Sequence, residues 1–209
     1  AVRRDKDTAV ALAQAKQALI GRAVADDNRP GSLPCPDTNN DGSAEIFVGA
    51  GLDECPSYIG RLPWRTLGLP DLRDSDGERL WYALSNNFRD HANAEPINSD
   101  RKGMFTITGT SPATDIIAVV FAPGQIVGTQ DRSTANQNTV AHFLEGGNET
   151  GIGTSTFITG ASTTTFNDRL LAITTEDNEV LLWVTESGRF VRLRAPLTNA
   201  EVVPESAAP

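Results

Sequence analysis

The stretch Asp7-Thr8-Ala9-Val10-Ala11-Leu12-Ala13-Gln14-Ala15-Lys16-Gln17-Ala18-Leu19-Ile20-Gly21-Arg22-Ala23-Val24-Ala25 constrains the fold more than any other. Alanine is the best helix former, and within this stretch only Gly21 is a poor interior residue. Leu12, Ala15, Leu19, Ile20 and Ala23 recur at helical spacing and make one narrow apolar stripe. The pattern predicts a helix over 7–25, capped by Asp7 or Thr8 and stopped by Arg29-Pro30-Gly31. Extended over 1–27, such a helix is about 40 Å long at ~1.5 Å per residue. A helix of that length with so thin a stripe needs a sheet or a partner to lie against.

The formal charge of −9 and the pI near 4.7 argue against nucleic acid, which selects basic surfaces. They argue equally against docking on anionic lipid head groups. At 209 residues the chain supports one domain with a sizeable core. No apolar run approaches the roughly 18 residues needed to span a bilayer. The chain starts at Ala1 rather than Met, which is the expectation for a trimmed or processed chain whose leading segment lies elsewhere.

Cys35 and Cys55 are each followed by Pro and bracket a Gly/Asn/Asp-rich loop. They are either free thiols or one disulfide. The loop carries little hydrophobic residue to hold itself together, which favours the disulfide. Closing about twenty residues is worth roughly 3 kcal/mol in the loop-entropy model. A disulfide belongs outside the cytoplasm. Zinc is disfavoured, because no CxxC is present and His91 and His142 stand at no ligand spacing.

Inside that loop lies Asp37-Thr38-Asn39-Asn40-Asp41-Gly42-Ser43-Ala44-Glu45. Oxygen-bearing side chains at alternate positions, with Gly after the third, match the first half of an EF-hand-type calcium loop. Asp37, Asn39 and Asp41 are the candidate calcium ligands. Position twelve is Val48 instead of a bidentate Glu, so Glu45 is the substitute ligand. The same residues also make an Asx-rich turn without any metal.

Downstream, the apolar residues of 60–70 are expected to dock beside the helix. Residues 80–85, 104–108, 115–122 and 166–174 read as strands, and 115–122 is apolar enough to be central and buried on both faces. Residues 88–103 read as a connection, 140–145 as a short helical turn or strand, and 151–165 as flexible. Residues 176–194 fit either a helix or a hairpin, with β-branched and aromatic content favouring the hairpin. Residues 197–209 read as a disordered tail. Trp64, Trp81 and Tyr82 are candidates for a stacking platform, although most such aromatics are core.

No Gly-x-Ser-x-Gly, Gly-x-Gly-x-x-Gly or Gly-x-x-x-x-Gly-Lys pattern is present. No carboxylate pair stands out among 27 acidic residues. The expectation is a protein that is not an enzyme.

The order of pieces resembles a known family. The helix is followed by Leu33-Pro34-Cys35-Pro36-Asp37, then Gly60-Arg61-Leu62-Pro63-Trp64 and Leu67-Gly68-Leu69-Pro70. An Asp76-Gly77 turn then runs into Leu80-Trp81-Tyr82. Val120-Phe121-Ala122-Pro123-Gly124, Phe143-Leu144-Glu145-Gly146 and Phe166-Asn167-Asp168-Arg169-Leu170-Leu171 add to the likeness. Together they resemble the type IV pilin-like proteins of Gram-negative bacteria, which include minor pilins and type II secretion pseudopilins. The resemblance implies an α+β fold in which a long N-terminal helix packs on an antiparallel sheet with loop-rich insertions. Residues 1–30 would be the C-terminal half of the pilin helix and 31–196 the head. It implies a filament subunit that assembles with other pilin or pseudopilin subunits. Leu12, Ala15, Leu19, Ile20 and Ala23 would be its assembly face. It implies a periplasmic or cell-surface location, and an inner-membrane anchor through an apolar segment preceding Ala1. Some pseudopilins bind calcium in the head at a different part of the chain, which supports a cation here without assigning these residues. The alternative function is a secreted calcium-dependent binding module or adhesin, suggested by the Asx loop and the Asn/Thr-rich segments of 131–165.

Overall fold

A computed structural model describes residues 2–91, 97, 100–175, 182–186 and 189–193, with side chains considered up to residue 175. Helix α1, Val2–Val24, is followed by a long irregular segment with three isolated backbone bridges, Leu33 with Arg89, Asp37 with Arg61, and Val48 with Glu54. The first sheet comprises β1 (Ile59–Arg61), β2 (Trp81–Leu84), β3 (Phe105–Gly109), β4 (Ala113–Ala122), β5 (Thr156–Thr159) and β6 (Arg169–Thr174). A four-residue helix α2, Gly151–Thr154, leads directly into β5. Strands β7 (Leu182–Glu186) and β8 (Arg189–Leu193) pair antiparallel as a separate two-stranded sheet, so the described part of 176–194 is strand rather than helix. The expected tail lies outside the described residues. The class is α+β with a mostly antiparallel sheet.

Strand β4 organises the first sheet. Residues 118–121 pair with β2 and also with β6, so these two strands occupy opposite edges of β4. Ile116 pairs with Phe105 and with Thr174, which puts β3 on the same edge as β2, further along. Every residue from Ile116 to Ala122 is buried, as its unbroken apolar run predicts. Successive residues point to opposite faces. Val120, Ala122, Tyr82, Leu84 and Ile173 fall in one hydrophobic cluster, together with Ala11, Leu12, Ala15, Leu19 and Ala23 of α1. Val119, Phe121, Trp81, Ala83 and Ile116 fall in the other, together with Phe143, Leu144 and Phe157. The alternation breaks once. Ile117 and Ala118 both join the α1 cluster, where the pairing with β6 shifts register between Ile116 and Ala118. A bulge of this kind turns two consecutive side chains to one face.

Strands were expected at 104–108, 115–122, 80–85 and 166–174, and all four are found within a few residues of those bounds. The stretch 151–165 differs from expectation. It holds α2 and β5, and Phe157 is fully buried against Phe105 and Phe121 at ring separations of 5.2 and 5.1 Å. One aromatic among small polar residues gives no periodicity. The stretch is ordered by parallel pairing with β3, a partner nearly fifty residues away. Gly109, at φ +96°, is needed where these strands meet, because a Cβ there would lie 1.8 Å from the Thr159 carbonyl oxygen.

Candidate functional site

Helix α1 is held against the rest of the chain at both ends. Near its start, Thr8 passes its hydroxyl hydrogen to Ser75 Oγ at 3.0 Å and accepts the Ser75 N–H at 3.1 Å. Thr8 is therefore inside the helix and bonded across the chain, not a cap as the sequence suggested. Arg4 pairs with Asp76 at 2.7 Å and Arg169 with Asp5 at 3.1 Å, both too exposed to contribute much stability. At the other end Gly31, at φ +92°, donates its N–H back to the Ala23 carbonyl at 2.9 Å and closes the last turn. Asp26 accepts the backbone N–H groups of Asn28 and Arg29 at 3.0 and 2.7 Å and pairs with Arg22 at 2.7 Å. Burial works against its charge, but these donors outweigh it and hold its carboxyl below the usual range. Arg22 also reaches Asp90 at 3.0 Å, and the buried Arg29 donates to the carbonyls of Asn87 and Arg89. The expected stop at Arg29-Pro30-Gly31 is thus a polar weld between the helix end and the head.

With both ends fixed, α1 has an inner and an outer face. Leu12, Ala15, Leu19 and Ala23 are 6, 0, 0 and 0 % exposed, and Ile20 is partly buried against the same cluster. These five residues were expected to form the assembly face. Leu12, Ala15, Leu19 and Ala23, enclosed by their own chain, have no surface to offer a neighbour and are core, while Ile20 is only partly covered. The opposite face carries Val10, Ala13, Gln17, Gly21 and Val24, all exposed, with Val10 and Val24 at 46 and 47 %. Their steps of three and four residues place them on one line of the helix. Sequence reasoning missed this second line because it followed bulk. The stripe with two leucines and an isoleucine goes inward, and the stripe of small and β-branched residues is left outside.

The loop after α1 is closed by the Cys35–Cys55 disulfide, with the two Cα atoms 5.5 Å apart. Within it, Asp37 is 1 % exposed. One carboxylate oxygen accepts the N–H groups of Asn39 and Asn40 at 3.1 and 2.6 Å, and the other accepts that of Gly42 at 2.7 Å. Burial pushes its carboxyl above the ordinary value in spite of those donors. Asn39 accepts from Asp41 N–H, and Asp41 accepts from Ser43 N–H, each two residues on, as in consecutive Asx turns. Glu45 turns back to the backbone N–H and hydroxyl of Thr38 at 3.1 and 2.8 Å. The four candidate ligands therefore share one tight turn. Among the described residues, no group of three or more His, Cys, Asp or Glu is placed to hold a metal. Gly42 sits at φ +88° beneath the Trp64 indole, and a Cβ there would come within 2.5 Å of the ring.

Trp81 and Tyr82 are neighbours on β2 and belong to opposite hydrophobic clusters, while Trp64 lies over Gly42. The three aromatics form no common platform. His91 is buried edge-on to Phe47, and His142 accepts the Asp131 N–H at 2.9 Å.

A second acidic cluster was not anticipated. Asp168, 4 % exposed, accepts the Glu145 N–H at 2.9 Å and the Asn148 side-chain amide at 3.0 Å through one oxygen, while its other oxygen is buried without a partner. Glu145 in turn accepts the N–H groups of Asn167 and Asp168 at 2.6 and 3.1 Å. Burial first, and Glu145 second, push the Asp168 carboxyl up to about 8.

Comparison with protein-family models, with curated proteins and with solved structures gives no match to this chain.

Proposed function

We propose that this chain is a structural subunit of an extracytoplasmic filament of the type IV pilus or type II secretion pseudopilus kind, and that it joins its neighbours through α1. On this reading the long helix lying on a mostly antiparallel sheet is the pilin arrangement, and residues 31–196 are the displayed head. Its partners are other pilin-like subunits and, before assembly, the inner membrane through an apolar segment ahead of α1. The observation that carries the proposal is the two-sided helix. One line, from Leu12 to Ala23, is spent on the chain's own core, while the parallel line Val10, Ala13, Gln17, Gly21 and Val24 stays exposed. Small side chains on that line permit close helix–helix approach. The disulfide supports a location outside the cytoplasm.

The proposal is tested by placing a photo-crosslinking residue at Gln17 in the source organism. Illumination of intact cells is expected to give a ladder of covalent multimers from Gln17 and none from the buried Leu19 position. Monomer alone from both positions overturns the reading.

The alternative, a calcium-dependent binding module or adhesin, draws on the shared turn of Asp37, Asn39, Asp41 and Glu45. It predicts a calcium-dependent rise in melting temperature that Asp41→Ala abolishes. A titration without heat and without a shift in melting temperature eliminates it.

A further inference from the structure

Four arginines of this acidic chain converge on one cavity. Arg61, Arg73, Arg79 and Arg132 line a hollow of about 330 Å³, with Glu78 the single acidic side chain among its lining residues. The chain has only 18 basic residues against 27 acidic ones, so such a gathering is not what composition alone would produce. It is made by topology. Arg61 ends β1, Arg73 and Arg79 pair as an isolated bridge that flanks the turn before β2, and Arg132 comes from the irregular segment after β4.

The counter-charges do not balance the set. Asp71 takes Arg79 through two bonds of 2.9 and 3.0 Å and Arg73 through one of 2.7 Å. Glu78 stands 3.4 Å from Arg132, whose donors also go to the carbonyls of His142, Gly124 and Gln125 and the side chain of Gln130. Among the described residues, Arg61 has no acidic partner within ion-pair distance. It is 4 % exposed, stacked at 4.3 Å over Trp81 and 4.0 Å over Phe143, and its terminal nitrogens donate to the carbonyls of Arg79 and Gln137 at 3.1 and 2.9 Å. Its Nε is buried without a partner. Burial brings its pKa down to about 10; the attraction of Glu78 and Asp37 opposes this and the repulsion of Arg79 and Arg132 adds to it, and the group stays charged at neutral pH.

A fold-stabilising role accounts for the Arg73–Asp71–Arg79 link. It does not account for a buried guanidinium without a carboxylate, placed beside three others. Ring faces offset part of that cost, and an anion in the cavity offsets more of it. We infer that the cavity formed by Arg61, Arg73, Arg79 and Arg132 binds a small oxyanion, a phosphate- or carboxylate-bearing molecule. Planar guanidinium forks match both groups. On the same wall Asn40 and Gln137 bond to each other at 3.1 Å and accept from Arg79 and Arg61, which fixes the arginines in place, and Thr134 adds a neutral hydroxyl beside the charge. The inference is independent of filament assembly.

The test is calorimetric titration of the whole chain with inorganic phosphate and, separately, with citrate, at low ionic strength and matched chloride. Saturable binding that weakens as sodium chloride is raised is expected for at least one of them. Arg73→Gln is expected to weaken it roughly tenfold or more, the scale of one lost charge-assisted hydrogen bond. The Arg73–Asp71 pair is 46 and 28 % exposed, so losing it is expected to lower the melting temperature by no more than a few degrees, too little to unfold the chain at the temperature of the titration. Glu78→Gln removes the acid on the wall and is expected to tighten binding several-fold, an outcome that a damaged fold does not produce. Absence of saturable heat with both anions, or affinity unchanged by both substitutions, overturns the assignment.

Discussion

Asp168→Asn is expected to stabilise the protein above about pH 8 and to leave its stability near pH 4 almost unchanged. The folded carboxyl is raised from an ordinary value of 3.8 to about 8. Between those limits the folded chain holds a proton that the unfolded chain has released. Stability therefore falls as pH rises through this window and is lowest above its upper end. Asparagine mimics the protonated acid. Its oxygen can still accept the Glu145 N–H and the Asn148 amide, and it carries no charge to repel Glu145. The expected gain on the alkaline side is on the order of a few kcal/mol, with roughly 6 kcal/mol as the ceiling for an enclosed carboxyl moved this far. Urea midpoints of parent and variant at pH 5 and pH 9 check it. Curves separated equally at both pH values count against a protonated Asp168 in the folded state.

The second large effect is the loss of the Cys35–Cys55 bridge. Replacing both cysteines with serine is expected to cost roughly 3 kcal/mol, because the bridge closes a loop with 20 positions of sequence separation and restrains the unfolded chain. The melting temperature is expected to fall by about 6–12 °C at a scale of ~2–4 °C per kcal/mol for a chain of this size. Within the loop the internal bonds are short-range, chiefly the Val48–Glu54 pairing, the Asp37 turn and the Glu45–Thr38 contacts, and none of them spans it from end to end as the bridge does. The same shift is expected when dithiothreitol is added to the parent protein. A melt indifferent to both the double substitution and the reductant contradicts a structural disulfide.

The elements driven by local pattern were legible in the sequence. The alanine-rich run with Leu12 and Leu19 marked α1, and the unbroken apolar run of 115–122 marked the central strand with both faces covered. The paired Cys-Pro steps around a loop poor in hydrophobic residues marked the disulfide. What could not be read depends on partners distant in sequence. Phe157 becomes core only because β5 finds β3, and the stretch around it has no period of its own. The arginine cavity gathers side chains from positions 61 to 132, each unremarkable in its local sequence. Asp168 acquires its raised proton affinity from Glu145, 23 residues earlier, and from enclosure, neither of which local sequence encodes. The inner and outer lines of α1 were both visible at helical spacing. Deciding which one the chain keeps for itself required knowing that the sheet would take the bulkier line.

On the proposed reading, α1 uses one line of residues to hold its own chain and the parallel line to meet other subunits. Ala13→Arg tests it most directly, since Ala13 is exposed on the outer line and one residue from the buried Leu12. The purified variant is expected to melt within a degree or two of the parent, because an exposed helix position tolerates arginine. In the source cells its multimers, recovered by shearing and sedimentation, are expected to disappear. Multimers retained at parental levels alongside an unchanged melt contradict the claim.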